Sequence, residues 1–322
     1  MVIPASKNIR IIYMGTPDFA VAPLKVLVEN GYNVVAAVTV PDKPAGRGQK
    51  LQQSAVKIYA QTVNLPVLQP PKLKDEEFLN TLRTYNAELF IVVAFRMLPE
   101  IVWQIPPLGT FNLHASLLPQ YRGAAPINHA IINGETVTGV TTFFINNEID
   151  EGKIILSEKV EIRHSDNAGT LHDRLMNTGA KLVLKTVDAV AGKSFDLQQQ
   201  PESENLKPAP KIFKEMCKIN WTQTPEEIYN FIRGLSPYPA AWCEFTNADR
   251  QTVSAKIYSA DCENIAHNLP FGTIKSDGKT FFKVACNGGF INIPDIHLAG
   301  KKRLPVREFL AGFRDIESYS VK

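Results

Sequence analysis

An asparagine and a histidine stand two residues apart in an apolar segment that ends in a tight turn. The segment FNLHASLLPQYRGAAPINHA covers residues 111–130 and contains Asn112 and His114. Side chains two residues apart in a β-strand point to the same side, so this amide and this imidazole would share one face. Both could donate hydrogen bonds to a carbonyl oxygen that gains negative charge, and a histidine can move a proton near neutral pH. The pair therefore indicates chemistry at a carbonyl carbon.

An acidic partner for the histidine is available further along the chain. Asp150 lies in NNEIDEGKII, directly after the apolar segment GVTTFFI at residues 139–145. A carboxylate beside an imidazole orients the ring and favours its protonated form. The residues alone leave two alternatives open, because His114 could be a buried structural histidine and Asp150 a turn residue.

The elements that must position these residues alternate between strand and helix patterns. Continuous apolar segments of strand type occupy residues 9–15, 33–40, 65–70 and 87–95, and helical spacing marks residues 18–31, 53–64 and 74–86. This rhythm predicts a Rossmann-like α/β domain with a mostly parallel sheet covered by helices. Asn112 and His114 would end a central strand, where open α/β sheets bind their ligands, and Pro126 would begin the next helix.

The amino-acid composition of the chain changes near residue 195. The segment FDLQQQPESENLKPAPKI at 195–212 is polar and contains prolines, which is typical of an inter-domain linker. Short strand-like segments separated by turn residues follow it and predict a small C-terminal β-barrel of OB-like type. From Pro208 onward there are 15 Lys and Arg against 12 Asp and Glu, so the positive charge lies in this part. We therefore expect domains at 1–207 and 208–322.

Several classes of protein are disfavoured. The turn MGTPDFA at 14–20 lacks both the G-x-G-x-x-G pattern and a Walker A lysine, which argues against a dinucleotide dehydrogenase. The four cysteines form no C-x-x-C pair, so we predict no metal site and reduced thiols. The longest apolar segment, at 87–95, is too short to cross a bilayer. We expect a cytoplasmic protein with no membrane contact and no obligate protein partner.

The central motif resembles that of the 10-formyltetrahydrofolate-dependent formyltransferase family. The resemblance is carried by Asn112-x-His114, the following SLLPQYRGAAP and Asp150 in IDEG. The segments MGTPDFA, PDKPAGRGQKL at 41–51 and GKKRLPVREFL at 300–310 are similar to the members of that family that act on tRNA. The resemblance therefore spans nearly the whole chain.

The resemblance implies a reaction and a set of site residues. The reaction would move a formyl group from N10 of 10-formyltetrahydrofolate to the α-amino group of methionine on initiator tRNA. The catalytic residues would be Asn112, His114 and Asp150; the folate-binding turn would comprise Ser116, Leu117, Leu118 and Pro119; and the pterin-binding segment would comprise Phe95, Arg96, Met97 and Leu98. Many relatives carry a glycine-containing version at Arg96 and Met97, and NNEIDEGKI stands in this chain in place of the commoner LDTGD pattern, with Asp150 and Gly152 kept.

The resemblance also implies tRNA contacts. PDKPAGRGQK, with two prolines and two glycines in ten residues, excludes regular structure and presents Lys43, Arg47 and Lys50 to an acceptor stem. A flexible surface loop is the alternative. Phe19 would line a methionyl pocket, unless it is a core aromatic. The basic residues at 300–303 either hold tRNA phosphates or are merely solvated.

Two competing functions remain. A family member with a small amine acceptor, such as a nucleotide sugar or glycinamide ribonucleotide, would not need PAGRGQKL or a basic second domain. A non-enzymatic folate-binding or RNA-binding protein would not need Asn112, His114 and Asp150. We therefore favour formyl transfer to a tRNA-bound methionine.

Overall fold

The computed structural model describes residues 5–45, 50–201 and 205–322. The chain divides into two compact units, each assembled from three segments. The first unit contains residues 1–123, 138–161 and 172–208, and the second contains residues 124–137, 162–171 and 209–322. The last change of unit falls after Pro208, beside the boundary expected at 207, and two earlier segments also group with the second unit.

Strands and helices alternate up to residue 192. They are α1 (Ala5–Asn8), β1 (Ile11–Gly15), α2 (Val21–Glu29), β2 (Val34–Val38), β3 (Lys43–Ala45), β4 (Lys50–Gln52), α3 (Ala55–Thr62), β5 (Val67–Leu68), α4 (Glu76–Thr84), β6 (Leu89–Val93), α5 (Glu100–Trp103), β7 (Thr110–His114), α6 (Pro126–Ile132), β8 (Val137–Phe144), β9 (Ile154–Glu161) and α7 (Ala168–Gly192). The strands at the predicted apolar segments and the helix beginning at Pro126 are confirmed.

The first unit is built on a seven-stranded sheet of order β5-β2-β1-β6-β7-β8-β9. The pairs β2–β5, β1–β2, β1–β6 and β6–β7 are parallel, and β8 runs antiparallel to β7. Every residue of β1 and β6 is buried, as expected for strands covered on both faces. The mostly parallel, Rossmann-like sheet is confirmed. Strand order reverses between β1 and β6, so ligands are expected at the carboxyl ends of these strands.

The basic segment at 41–50 contradicts one prediction. Residues Lys43–Ala45 pair antiparallel with Lys50–Gln52, so the expectation that this segment excludes regular structure is wrong. Pro44 is compatible with this two-stranded ribbon because an edge strand leaves one side without ladder hydrogen bonds, where the missing N–H costs nothing. Residues 46–49 lie outside the described residues.

The second unit contains the remaining elements. They are α8 (Pro225–Leu235), β10 (Ala241–Thr246), β11 (Thr252–Ile257), β12 (Asp261–Glu263), β13 (Ile274–Ser276), β14 (Phe282–Cys286), β15 (Gly289–Asn292), β16 (Asp295–Leu298), β17 (Arg303–Pro305), α9 (Val306–Gly312) and β18 (Ser320–Val321). They form sheets of order β17-β16-β11-β10-β18 and β12-β15-β14-β13. Both sheets are antiparallel, as predicted, and an isolated bridge between Thr273 and Ser320 connects them.

One apolar core fills the second unit. Phe245, Phe282 and Ile257 are almost fully buried in it, and they come from both sheets. Helix α8 packs on α6, where the Asn128 amide donates to the Gly234 carbonyl over 2.8 Å. A Cβ at Gly234 would lie 2.6 Å from Ile132 Cγ1, so glycine permits this close approach. The segment containing α6 is therefore part of the second unit's packing.

All four cysteines lie in the second unit. All four cysteines are free, and burial raises the pKa of Cys243 to about 12 and that of Cys286 to about 11. Among residues 5–45, 50–201 and 205–322, no helix combines the length and apolar character that a bilayer span requires.

Candidate active site

Strand β7 carries Asn112 and His114 at its carboxyl end. It lies between β6 and β8, with Asn112 beside Val92 on one neighbour and Phe143 on the other. Asn112 is half-buried and His114 is buried. The Asn112 side chain makes no hydrogen bond within the described part of the chain, so its amide remains available to a ligand.

His114 is held by its backbone surroundings. Its Nε2 lies 2.8 Å from the Tyr121 carbonyl oxygen. A carbonyl only accepts, so Nε2 carries the proton of this hydrogen bond. The other ring nitrogen, Nδ1, lies 3.8 Å from Asp150 Oδ2, which is longer than a hydrogen bond. Nδ1 is therefore the ring nitrogen that can gain or lose a proton beside the carboxylate.

Asp150 lies in the loop between β8 and β9 in a left-handed conformation, with φ of 57°. Its Oδ2 accepts a hydrogen bond of 3.0 Å from the Gly123 backbone N–H. The side chain is 15% exposed. The structure thus brings Asp150 to His114, as the resemblance implied.

Gln200 is a site residue that the sequence analysis missed. Its Nε2 donates to the carbonyl oxygens of Asp150 and Gly152, both over 2.8 Å. It lies in the segment predicted as a linker, where three consecutive glutamines offer no pattern that singles out one of them. Only its burial, at 5% exposed, distinguishes it.

The turn at Ser116–Pro119 is fixed by a threonine on the neighbouring strand. Thr141 Oγ1 donates to the Ser116 carbonyl over 2.7 Å and accepts from the Leu118 N–H over 3.2 Å. The Leu118–Pro119 peptide bond is cis. Ser116 Oγ donates to the Gln120 carbonyl, and Leu118 packs with other apolar side chains near the turn. Ser116 therefore shapes the turn through its own hydroxyl, and Thr141 was not identified from sequence.

The segment after β6 leaves its backbone unpaired. Residues 95–98 make no backbone–backbone hydrogen bond within the described ranges. Arg96 donates to the carbonyls of Pro70 and Pro71 over 2.8 and 3.1 Å, and its guanidinium lies over the Phe95 ring. Burial lowers the pKa of Arg96. Met97 is 69% exposed, whereas Leu98 is buried.

Two buried polar atoms at this end of the sheet have no partner among the described residues. They are Thr16 Oγ1, next to the end of β1, and Arg96 Nε, next to the end of β6. Both strands end at the point where strand order reverses. Unsatisfied polar atoms and an unpaired backbone segment fit a ligand with several hydrogen-bonding groups, such as a pterin.

Phe19, Lys43 and Lys50 are the described residues among those expected to contact tRNA. Phe19 is 7% exposed and packs edge-on against His172, with ring centroids 5.2 Å apart. Lys43 is exposed on β3, and the backbone of Lys50 belongs to β4. Arg47 lies outside the described residues. No contact joins Phe19 or Lys43 to Asn112, His114 or Asp150 in the described structure.

A cavity of about 530 Å³ opens on the second unit. Its lining includes Lys214, Tyr238, Trp242 and Lys256. Tyr238 is 81% exposed. Aromatic rings can stack on bases and lysines can contact phosphates, so this lining is of a type that binds nucleic acid.

The basic run at 300–303 contains Arg303, which pairs with Asp295 over 2.6 Å, while the two lysines are exposed. Across the described residues, no group of three or more His, Cys, Asp or Glu side chains could hold a metal ion.

Comparison with known protein families matches both parts of the chain. Residues 7–187 match the family described as "Formyl transferase", and residues 211–314 match "Formyl transferase, C-terminal domain". A "Methionyl-tRNA formyltransferase" from Bacteroides fragilis is 54% identical over 98% of each chain. Proteins of that name from Bacteroides thetaiotaomicron and Parabacteroides distasonis are 55% and 56% identical, over 98% of this chain and 99% of theirs.

Solved structures share the fold at low identity. WlaRD, described as a sugar 3N-formyl transferase in the presence of dTDP and 5-N-formyl-THF, is 21% identical with a TM-score of 0.64, over 91% of this chain and 99% of that one. HypX from Aquifex aeolicus, solved with tetrahydrofolic acid, is 17% identical with a TM-score of 0.63, over 95% of this chain and 47% of that one.

Proposed function

The chain belongs to the formyl transferase family, and from this premise we propose how Asn112, His114 and Asp150 carry out formyl transfer. The chain transfers a formyl group from 10-formyltetrahydrofolate to the α-amino group of methionyl initiator tRNA. The observation that carries this function is 54–56% identity over 98% of the chain to relatives named for it.

The formyl donor is proposed to bind at the carboxyl ends of β1, β6 and β7. The unpaired backbone of residues 95–98 would bind the pterin, supported by the unpartnered Arg96 Nε. The turn at 116–119, braced by Thr141, would form the opposite side. When bound, the donor supplies a formyl carbon whose oxygen gains negative charge as an amine nitrogen adds to it.

Asn112 is proposed to stabilise that oxygen. Its side-chain amide is half-buried and carries no other hydrogen bond within the described ranges, so Nδ2 is free to donate. A donor that is held in place before the charge develops does not have to reorganise during the reaction. Removing one such donor typically lowers the rate by a factor of about 100 to 1000.

His114 Nδ1 is proposed to move the proton. Only a neutral amine attacks, and a free α-amino group has a pKa of about 7.7–8.0. Nδ1 accepts the proton that the amine loses when the new C–N bond forms, and returns it to N10 when the old C–N bond breaks. Asp150 stabilises the protonated imidazole by charge, and the hydrogen bond from Nε2 to Tyr121 keeps the ring in place.

Capture of the tRNA is proposed to involve both units. The part of the chain from Pro208 onward carries the net positive charge, and the cavity beside Trp242 combines aromatic rings with lysines. Lys43, Arg47 and Lys50 are proposed to contact the acceptor stem. Because the product serves protein synthesis, we infer a cytoplasmic location.

The decisive experiment is formylation of charged initiator tRNA with 10-formyltetrahydrofolate. Uncharged tRNA and free methionine serve as acceptor controls, and a nucleotide amino sugar tests the small-acceptor alternative. We expect product only with methionyl-tRNA. Faster transfer to the amino sugar would contradict the proposed acceptor.

A further inference from the structure

Asp150 adopts a left-handed backbone conformation in a loop outside the helices and strands. Its φ of 57° lies in the left-handed region, which is costly for most residues and tolerated by aspartate. The loop between Phe144 and Ile154 belongs to no helix or strand. A Cβ at Gly152 would lie 1.6 Å from the Phe144 carbonyl oxygen, so the loop passes too close to β8 for any other residue. Within the loop, the Phe144 N–H donates to the Lys153 carbonyl over 3.0 Å, and the contacts to residues 150–152 come from outside the loop.

Gln200 supplies two of those contacts. Its one amide nitrogen donates to the carbonyls of both Asp150 and Gly152, two residues apart. Among the described residues, neither carbonyl has another hydrogen-bond donor. The neighbouring Gln198 exchanges two backbone hydrogen bonds with Ile154, at 2.8 and 3.0 Å, which fixes this segment beside the start of β9. Gln200 is thus held beside the loop by the backbone of Gln198, two residues before it.

Arg122 orients the Gln200 amide. Its Nε and Nη2 donate to Gln200 Oε1 over 3.0 and 2.7 Å, so the amide oxygen faces Arg122 and the nitrogen faces the loop. The third guanidinium nitrogen, Nη1, pairs with Glu151 over 2.6 Å. One arginine therefore contacts the loop directly, through the ion pair with Glu151, and indirectly, through its hydrogen bonds to Gln200.

Three consecutive residues, 121–123, contact both His114 and the loop that carries Asp150. Tyr121 accepts from His114, Arg122 orients Gln200, and the Gly123 N–H donates to Asp150 Oδ2. The positions of His114 and Asp150 are therefore both fixed by one short segment, residues 121–123. Loss of the Gln200 bridge leaves the hydrogen bond from Gly123 and the Arg122–Glu151 ion pair as the contacts between this segment and the loop in the described structure.

We infer that Gln200 is a positioning residue for formyl transfer, which fixes Asp150 relative to His114 through its bridge from Arg122 to the carbonyls of Asp150 and Gly152. The inference rests on the proposed role of Asp150. A displacement of about 1 Å in a catalytic group can cost about 100-fold in rate. Gln200→Leu keeps the side-chain size but removes both the donor and the acceptor.

The test is a double-mutant cycle in the full chain with Gln200→Leu, Asp150→Asn and the pair. We expect Gln200→Leu to lower kcat by about 10- to 100-fold, with KM for 10-formyltetrahydrofolate changed by less than about threefold. In the Asp150→Asn background the same change should cost less than about threefold, because its target is already lost. Gln199→Leu, at an exposed neighbour, is the matched control and should keep full activity.

A second variant separates positioning from folding. Gln200→Glu retains the acceptor for Arg122 but replaces the donor, so it should lose kcat like Gln200→Leu while circular dichroism stays native. Full activity in Gln200→Glu, or losses that multiply in the double variant, would overturn the inference. Full turnover in Asp150→Asn alone would instead overturn the proposed role of Asp150, and the positioning role with it.

Discussion

The imidazole Nε2 of His114 and the backbone carbonyl of Tyr121 are joined by a hydrogen bond of 2.8 Å. This bond determines which ring nitrogen is free for chemistry. A carbonyl oxygen can only accept a hydrogen bond, so Nε2 must be the donor. It leaves Nδ1 facing the carboxylate of Asp150. A peptide carbonyl, which no side-chain substitution removes, therefore fixes the tautomer of His114.

We expect Asn112→Ala and His114→Ala each to lower turnover by at least about 100-fold, because each side chain acts on charge or a proton in the transition state. Folate binding, measured by calorimetric titration, should persist in both variants. His164→Ala, at an exposed histidine outside the site, is the control. Near-normal turnover in either folded variant would remove that residue from the mechanism.

We expect Thr141→Val to raise KM for 10-formyltetrahydrofolate and to lower the free energy of unfolding by about 1–3 kcal/mol. The change strands the Ser116 carbonyl and the Leu118 N–H, which both bond to the lost hydroxyl. Thr142→Val is the matched control, since its buried hydroxyl bonds to Thr186 rather than to the turn. It should lower stability without affecting KM, and an equal KM effect in both variants would refute the role of Thr141.

We expect Arg47→Ala to weaken tRNA binding while folate binding stays unchanged. Each lost phosphate contact should reduce the slope of log affinity against log salt by roughly one unit or less. Binding measured at several salt concentrations gives this slope. Lys181→Ala, at an exposed lysine on α7, controls for loss of a positive charge. Equal slopes in the two variants would return the segment to the interpretation as a surface loop.

We expect Glu227→Gln to lower stability at neutral pH but not at low pH. Hydrogen bonds from the backbone N–H and hydroxyl of Thr224 hold the pKa of Glu227 below its usual value. A lowered pKa in the folded state contributes stability above the unfolded value near 4.3, and this contribution is lost as pH falls through the folded value. The side chain is exposed, so we expect a few tenths of a kcal/mol to about 1 kcal/mol at pH 7.

Urea unfolding at pH 7 and at pH 3 measures this difference. The free energies of wild type and Glu227→Gln should converge at the lower pH. A constant difference at both pH values would show that charge on Glu227 does not stabilise its hydrogen bonds with Thr224 at the start of α8.

Alternation of apolar strands and amphipathic helices was sufficient to predict the Rossmann-like sheet and the place of Asn112 and His114 at a strand end. Period-two spacing decides which side chains share a face, and that information is local. The antiparallel C-terminal unit was predicted from its regular turns for the same reason.

The residues that brace the site could not be predicted in this way. Gln200 and Thr141 act through hydrogen bonds to backbone groups distant in sequence, and a backbone carbonyl carries no residue-specific signal. The pairing of residues 43–45 with residues 50–52 was missed because prolines weigh against strands in general, whereas an isolated ribbon has open edges that tolerate them.

The division of each unit into three chain segments bears on how the protein is made. Asn128 emerges from the ribosome 106 residues before its partner Gly234. At typical synthesis rates this gap lasts about 5–20 s, during which the apolar side of α6 has no completed unit to join. The second unit can therefore close only when the end of the chain has been synthesised, and no single cut in the polypeptide yields both units whole.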